Sequence, residues 1–134
     1  NLQWLETYFY VEPYDREVLS KPMQHIIHPG GEIFFITQNN TAIGTVALIK
    51  RGDGVFELTK MAIEHSKQGK NLGQQLLQHC IDFAKENNFK VLYLYSNTKL
   101  ENAIHIYKKH GFKQVAIPKD NPYKRSNIKM IYPL

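Results

Sequence analysis

A chain of 134 residues, 43% of them apolar, can build one sizeable hydrophobic core but not several. Nowhere does it run to the roughly 18 consecutive apolar residues that a membrane-spanning helix needs, so no such helix and no membrane partner are expected. Seventeen basic against twelve acidic residues give a net charge of +5, which leans toward an anionic partner without choosing among nucleotide, nucleic acid and membrane surface. The basic residues are scattered rather than blocked. The single cysteine, Cys80, cannot close an intrachain disulfide, which fits a reducing, cytoplasmic setting. Glu6, Glu12, Asp15 and Glu17 near the start do not fit a signal peptide, and a chain opening on Asn1 reads as a processed or trimmed product. There is no internal repeat or linker, so one domain over residues 1–134 is expected.

In chain order, Asn1–Tyr10 sets Trp4, Leu5, Tyr8 and Phe9 at helical spacing, and Glu12–Ser20 reads as a second short helix ending before Pro22. His28-Pro29-Gly30-Gly31 is a turn. The period then shortens to that of strands: 32–38, a two-residue turn at Asn39-Asn40, 41–50, a tight turn at 51–54, and 55–63. Three strands in a meander are antiparallel. From Asn71 to about Asn87, Leu72, Leu76, Leu77, Cys80, Ile81 and Ala84 share one helical face. A largely buried strand follows at 91–97. The next helix, 100–110, carries a Leu100, Ala103, Ile104, Tyr107 stripe and ends at Gly111. Strands at 112–117 and 127–132 close the chain. The order is α-α-β-β-β-α-β-α-β-β, an α/β fold on a mixed sheet of about six strands. Its strand–helix–strand unit at 55–97 implies a parallel pair.

The junction "KQGKNLGQQLL", residues 67–77, has glycines at the entry of a helix that follows a strand. Backbone N–H groups gather at such junctions and hold phosphates, although an ordinary helix entry would also place glycine there.

The stretch "MAIEHSKQGKNLGQQLL" resembles the acyl-coenzyme A signature of the GNAT superfamily of N-acetyltransferases, Gln/Arg-x-x-Gly-x-Gly/Ala. Gln68, Gly69, Lys70, Asn71, Leu72 and Gly73 stand in its positions. Asn71 replaces the usual middle glycine, and asparagine is the next best residue at a left-handed backbone angle. "VFELTKMAI" is similar to the family's fourth strand, and "NAIHIYKKHGF" (102–112) to its later Ala-x-x-x-Tyr-x-x-x-Gly-Phe signature. Leu100 stands where many members carry Asn. The family's first strand, which should precede the first helix, is not visible and is expected to be missing or disordered. The opening "NLQWLETYFYVEPYD" also resembles a bacterial subgroup of the family.

The resemblance implies a GNAT-like fold and transfer of an acetyl group from acetyl-CoA, as cosubstrate, to an amine of a small molecule, peptide or protein. In it, Gln68, Gly69, Lys70, Asn71, Leu72, Gly73 and Gln74 hold the pyrophosphate of coenzyme A. The backbone of Met61, Ala62 and Ile63 lies along the pantetheine arm and can receive an oxyanion. Asn102 and Lys109 touch its pantetheine and phosphate ends, or are solvated helix residues. Tyr107 protonates the leaving thiolate; a phenol with an ordinary pKa near 10 suits a general acid. Glu57 is the candidate base, or pairs with Lys50, Lys60 or another neighbour. On a regular strand it shares a face with Thr59 and Met61. His65, at the strand's exit, is a weaker candidate. Tyr8 and Glu12 could face the acceptor.

Cys80 falls on the apolar stripe between Leu76 and Ala84, which reads as a buried thiol and favours direct transfer in a ternary complex over a covalent acyl-enzyme. His25, His28, His79, His105 and His110 have no metal-ligand spacing with Cys80 or carboxylates, so no metal is implied. Two other classes compete: a non-catalytic coenzyme A-binding module of the same fold, and a basic nucleic-acid-binding domain, ranked last for want of a recognition helix or RNA-binding aromatic signature. A homodimer through the C-terminal strands is compatible with the sequence, though nothing in it sets one.

Overall fold

The computed structural model describes residues 2–6, 30–38, 41–64, 66, 71–121 and 123–134. Nine elements follow in chain order. They are β1 (Leu2–Glu6), β2 (Glu32–Gln38), β3 (Thr41–Gly52), β4 (Val55–Ile63), α1 (Leu72–Glu86), β5 (Val91–Ser96), α2 (Glu101–Lys109), β6 (Lys113–Val115) and β7 (Ile128–Tyr132). All seven strands join one sheet in the order β1-β2-β3-β4-β5-β7-β6. Every neighbouring pair is antiparallel except β4–β5, which is parallel and joined by the α1 crossover. The expected mixed α/β sheet and its parallel step are both present.

The opening segment departs from its helical spacing. Leu2–Glu6 is a strand, running antiparallel to β2 from Leu2↔Gln38 to Glu6↔Phe34. The first strand taken as missing is therefore this one. Five residues cannot repay the cost of nucleating a helix, whereas the open edge of β2 offers a backbone ladder ready made. The second expected helix (12–20), the 28–29 part of the first turn and the Asn39-Asn40 hairpin turn lie outside the described residues.

The sheet alternates sharply. Phe34 and Ile36, Val46 and Leu48, Phe56 and Leu58, Leu92 and Leu94, and Ile128 and Met130 turn to one face. There they meet Leu72, Leu76, Leu77, Cys80, Ile81 and Ala84, the buried residues of α1 and the same six whose spacing marked the helix. Each fully buried Leu or Ile contributes about 1.5–3 kcal/mol, so this stripe anchors α1. Phe56 stacks on Phe89 at 3.8 Å and closes the end of the layer. The other face carries a smaller cluster of Ile33, Phe35 and Ala47, then Glu57, Tyr93, Tyr95 and Lys129 farther along the sheet.

Candidate active site

Two features of β4 open a cleft in the sheet. Thr45 pairs with Ala62 while Ala47 pairs with Thr59, so two residues of β4, Lys60 and Met61, oppose the single Val46. This is a β-bulge, and Lys60 takes a positive φ of 57° within it. The extra residue reverses the alternation. Met61 therefore packs with Phe56 and Leu58 against the main core, whereas Glu57 stays on the opposite face. The expectation that Glu57, Thr59 and Met61 share one face is corrected: a strict two-residue period does not survive a bulge.

The second feature is the ladder to β5, which spans only Val55–Glu57 against Val91–Tyr93. Beyond it a cleft of about 880 Å³ opens, with Met61, Ala62 and Ile63 on one wall. Asn71, Leu72, Gly73 and Gln74 at the entry of α1 form its end, and residues of α2, among them Asn102, Tyr107 and Lys109, form the other wall. These predicted residues, drawn from three elements, meet in one place. Sequence reading assigned no site role to Leu77, Ala103, His105 and Ile106, which also line the cleft. Their sequence signal is their position in the helices and, for Ala103, its place in the 102–112 signature.

Asn71 sits at φ 60°, ψ 19°, the left-handed angle expected of it, and its side chain makes no capping bond. The first N–H groups of a helix lack intrahelical acceptors. Here the first turn also carries no acidic residue, so the positive end of the helix dipole is uncompensated at the cleft. A Cβ at Gly73 would have Met61 Sδ as its nearest neighbour, at 3.9 Å. Any larger side chain there would grow between α1 and β4, into the cleft.

The α2 stripe divides its duties. Ile104 is buried in the core, whereas Leu100 is 57% exposed and lines the cleft with Ala103 and Tyr107. Tyr107 is half-buried beside Phe112, with ring centroids 6.1 Å apart, and burial pushes its phenol above the ordinary tyrosine range. The helix ends as expected: Gly111 adopts φ 107°, and the Phe112 N–H donates to the Tyr107 carbonyl at 3.0 Å. A Cβ at Gly111 would meet Tyr132 Cε1 at 3.0 Å. Gln74 ties the two helices together. Its Oε1 accepts from Lys109 Nζ at 3.4 Å and lies 3.2 Å from His110 Nε2. The other ring nitrogen of His110 lies 3.0 Å from Gln78 Oε1.

Glu57 is 2% exposed. Its partner is neither Lys50 nor Lys60: the Arg51 Nε donates to Glu57 Oε1 at 2.9 Å. Arg51 Nη2 also donates to the Tyr123 hydroxyl at 3.3 Å. Burial first, and then Glu57, push the Tyr123 phenol up to about 12, and the phenols of Tyr93 and Tyr95 are raised for the same two leading reasons. Lys129 Nζ lies 4.6 Å from the Tyr93 ring centroid and 5.6 Å from that of Tyr95. Sequence reading missed this surround. The alternation in "VLYLYSN" does put Tyr93 and Tyr95 on one face, but Tyr123 comes from a loop with no period to read.

Cys80 is fully buried and desolvation raises its thiol far above the nucleophilic range. His79 packs edge-on against Phe34 at 4.6 Å. Among the described residues no group of three or more His, Cys, Asp or Glu is placed to hold a metal ion, and no helix is long and apolar enough to cross a membrane. Gln68, Gly69, Lys70, His65, Tyr8 and Glu12 lie outside the described residues.

Comparison with known proteins agrees with this architecture. The chain is 27% identical over 110 residues to streptothricin acetyltransferase A of Bacillus subtilis (strain 168), covering 74% of this chain and 64% of that protein's length. Its fold matches a GNAT-family acetyltransferase from Staphylococcus aureus Mu50 with a TM-score of 0.80 at 19% identity, covering 98% of both chains. It also matches a GNAT-family acetyltransferase from Elizabethkingia anophelis, solved with acetyl-CoA bound, with a TM-score of 0.76 at 24% identity over 100% of this chain and 99% of that one. The family model described as "Acetyltransferase (GNAT) family" matches residues 1–112, most of the sequence. The chain belongs to the GNAT acetyltransferase family.

Proposed function

We propose that this protein transfers an acetyl group from acetyl-CoA to a primary amine, directly, with both substrates bound at once. One observation carries the reading most: the cleft beside the parted β4 and β5 ends at the uncapped, left-handed entry of α1. The residues fit a pyrophosphate. Backbone N–H groups without intrahelical acceptors meet it, and Gly73 leaves the space between α1 and β4 clear. Bound coenzyme A presents the acetyl group as a thioester.

The chain's own residues then have distinct tasks. Met61, Ala62 and Ile63 flank the pantetheine arm, and a backbone N–H of this edge receives the negative charge that develops on the carbonyl oxygen. Asn102 and Lys109 contact the pantetheine and phosphate ends. An ammonium has no lone pair to attack with, so the acceptor must first lose a proton. Glu57 takes it, directly or through water, from the sheet face opposite α1. Tyr107, on the cleft wall, returns a proton to the departing sulfur. Buried Cys80 leaves no candidate thiol for a covalent acyl-enzyme among the described residues. Upstream, Gln68, Gly69 and Lys70 extend the phosphate loop, and Tyr8 and Glu12 border the acceptor.

The test is thiol release from acetyl-CoA with and without a panel of primary amines. Release that depends on an added amine, with the matching acetamide as product, is the expected result. Binding of acetyl-CoA with no release for any amine would instead leave a coenzyme A-binding module.

A further inference from the structure

The face of the sheet turned away from the helices says something about the acceptor itself, given the acetyltransferase reading above. Glu57 and Tyr93 are the last pair before β4 and β5 part. A second substrate reaching an acyl group through that gap, from the side away from α1, therefore passes Glu57, Tyr93 and their neighbours. The acid in this group is already matched, because Arg51 holds Glu57 at 2.9 Å. Among the described residues, the one buried carboxylate on this face is thus already paired with a cation.

Lys129 is in the opposite situation. It stands directly across the β5–β7 ladder from Tyr95, and its ammonium lies over the Tyr93 and Tyr95 rings. No carboxylate among the described residues pairs with it. Asp120 is close enough to act on Tyr95, yet it forms no ion pair with Lys129. The loop before β7 carries Lys119, Lys124 and Arg125, all exposed, against Asp120, so its charge is net positive. The ring faces that would bind a cation are thus taken, while a half-buried ammonium waits for an anion.

We infer that the acceptor is a small primary amine that also carries a carboxylate. Lys129 holds the carboxylate, Tyr95 and Tyr93 support the chain between, and the amine is turned toward Glu57. β5 alone separates the strands that carry Lys129 and Glu57, and the Lys129 ammonium leans over Tyr93, the ladder partner of Glu57, so a small amino-acid-like molecule fits between them better than a long polycation.

The experiment compares kcat/KM for an amino acid and for its primary amide with acetyl-CoA, per unprotonated amine, because the carboxylate also changes the amine's pKa. A charge-assisted contact to a carboxylate is worth on the order of tenfold, so the amino acid should be preferred by about that factor. Lys129→Met keeps the aliphatic stem on the tyrosine rings and should lower kcat/KM for the amino acid about tenfold, with the preference lost. Lys129→Arg should regain a large part of it. A wild-type preference for the amide or for a polyamine, or a Lys129→Met protein that keeps the amino-acid preference, would overturn the inference. Acetyl-CoA binding without transfer to any amine would overturn the transferase reading itself, and this one with it.

Discussion

A half-buried phenol becomes an acid only where its proton is held and a leaving group can reach it. At Tyr107 desolvation raises the pKa above the ordinary tyrosine value, so the phenol keeps its proton throughout the neutral range. The sign matters for the pH profile: a raised value moves deprotonation further into alkali, so activity should not decline on this residue's account as pH rises from neutral. General acid catalysis contributes about 10²–10⁴-fold. Tyr107→Phe, which keeps the ring's packing on Phe112 but removes the proton, should lower kcat by about that range in steady-state assays, with little change in acetyl-CoA affinity. Full activity in that variant would make another group, or water, the acid. Two residues on opposite faces of the sheet show what the sequence could and could not tell. Cys80 was legible as a buried thiol because its neighbours on the stripe are apolar. Glu57 was legible as a candidate, but its partner Arg51 was not. The pair forms across the β3–β4 hairpin, whose register only the folded chain displays.

Elements place these residues, and here the regular ones were legible and the irregular ones were not. The apolar stripe of α1 predicted its buried face residue by residue, because a 15-residue helix repeats its period several times. Gly111 marked the end of α2 through a conformation that other residues resist. By contrast, the bulge at Lys60 has no compositional signature, yet it turns Met61 to the cleft wall. β1 was misread because five residues are too few for periodicity to outweigh an available sheet edge. The entry of α1 makes the sharpest test at this scale. Gly73→Glu would put a carboxylate between α1 and β4, beside the N–H groups assigned to the pyrophosphate. Acetyl-CoA binding measured by calorimetry should then fall at least about tenfold, the order expected when a like charge is placed at a desolvated anion site. A folded variant with unaltered affinity would remove the phosphate assignment.

At the scale of the molecule, one sheet serves as two surfaces. Its helical side holds the main core and the cleft, and its other side holds Glu57 among tyrosines and Lys129. The short β4–β5 ladder lets the two communicate. A net charge of +5 alone could not choose between a nucleotide-bearing cosubstrate and a nucleic acid; membership of the GNAT family favours the first, and the function proposed above places its phosphates at the uncapped entry of α1. The most direct measurement is thermal unfolding with saturating acetyl-CoA, beside ADP and matched salt. A ligand at about 100 times its dissociation constant adds roughly 2.7 kcal/mol, which for a domain of this size raises Tm by several degrees. A rise with acetyl-CoA well beyond that with ADP is the predicted result. No rise, or an equal one with ADP, would contradict the assignment of this cleft to coenzyme A.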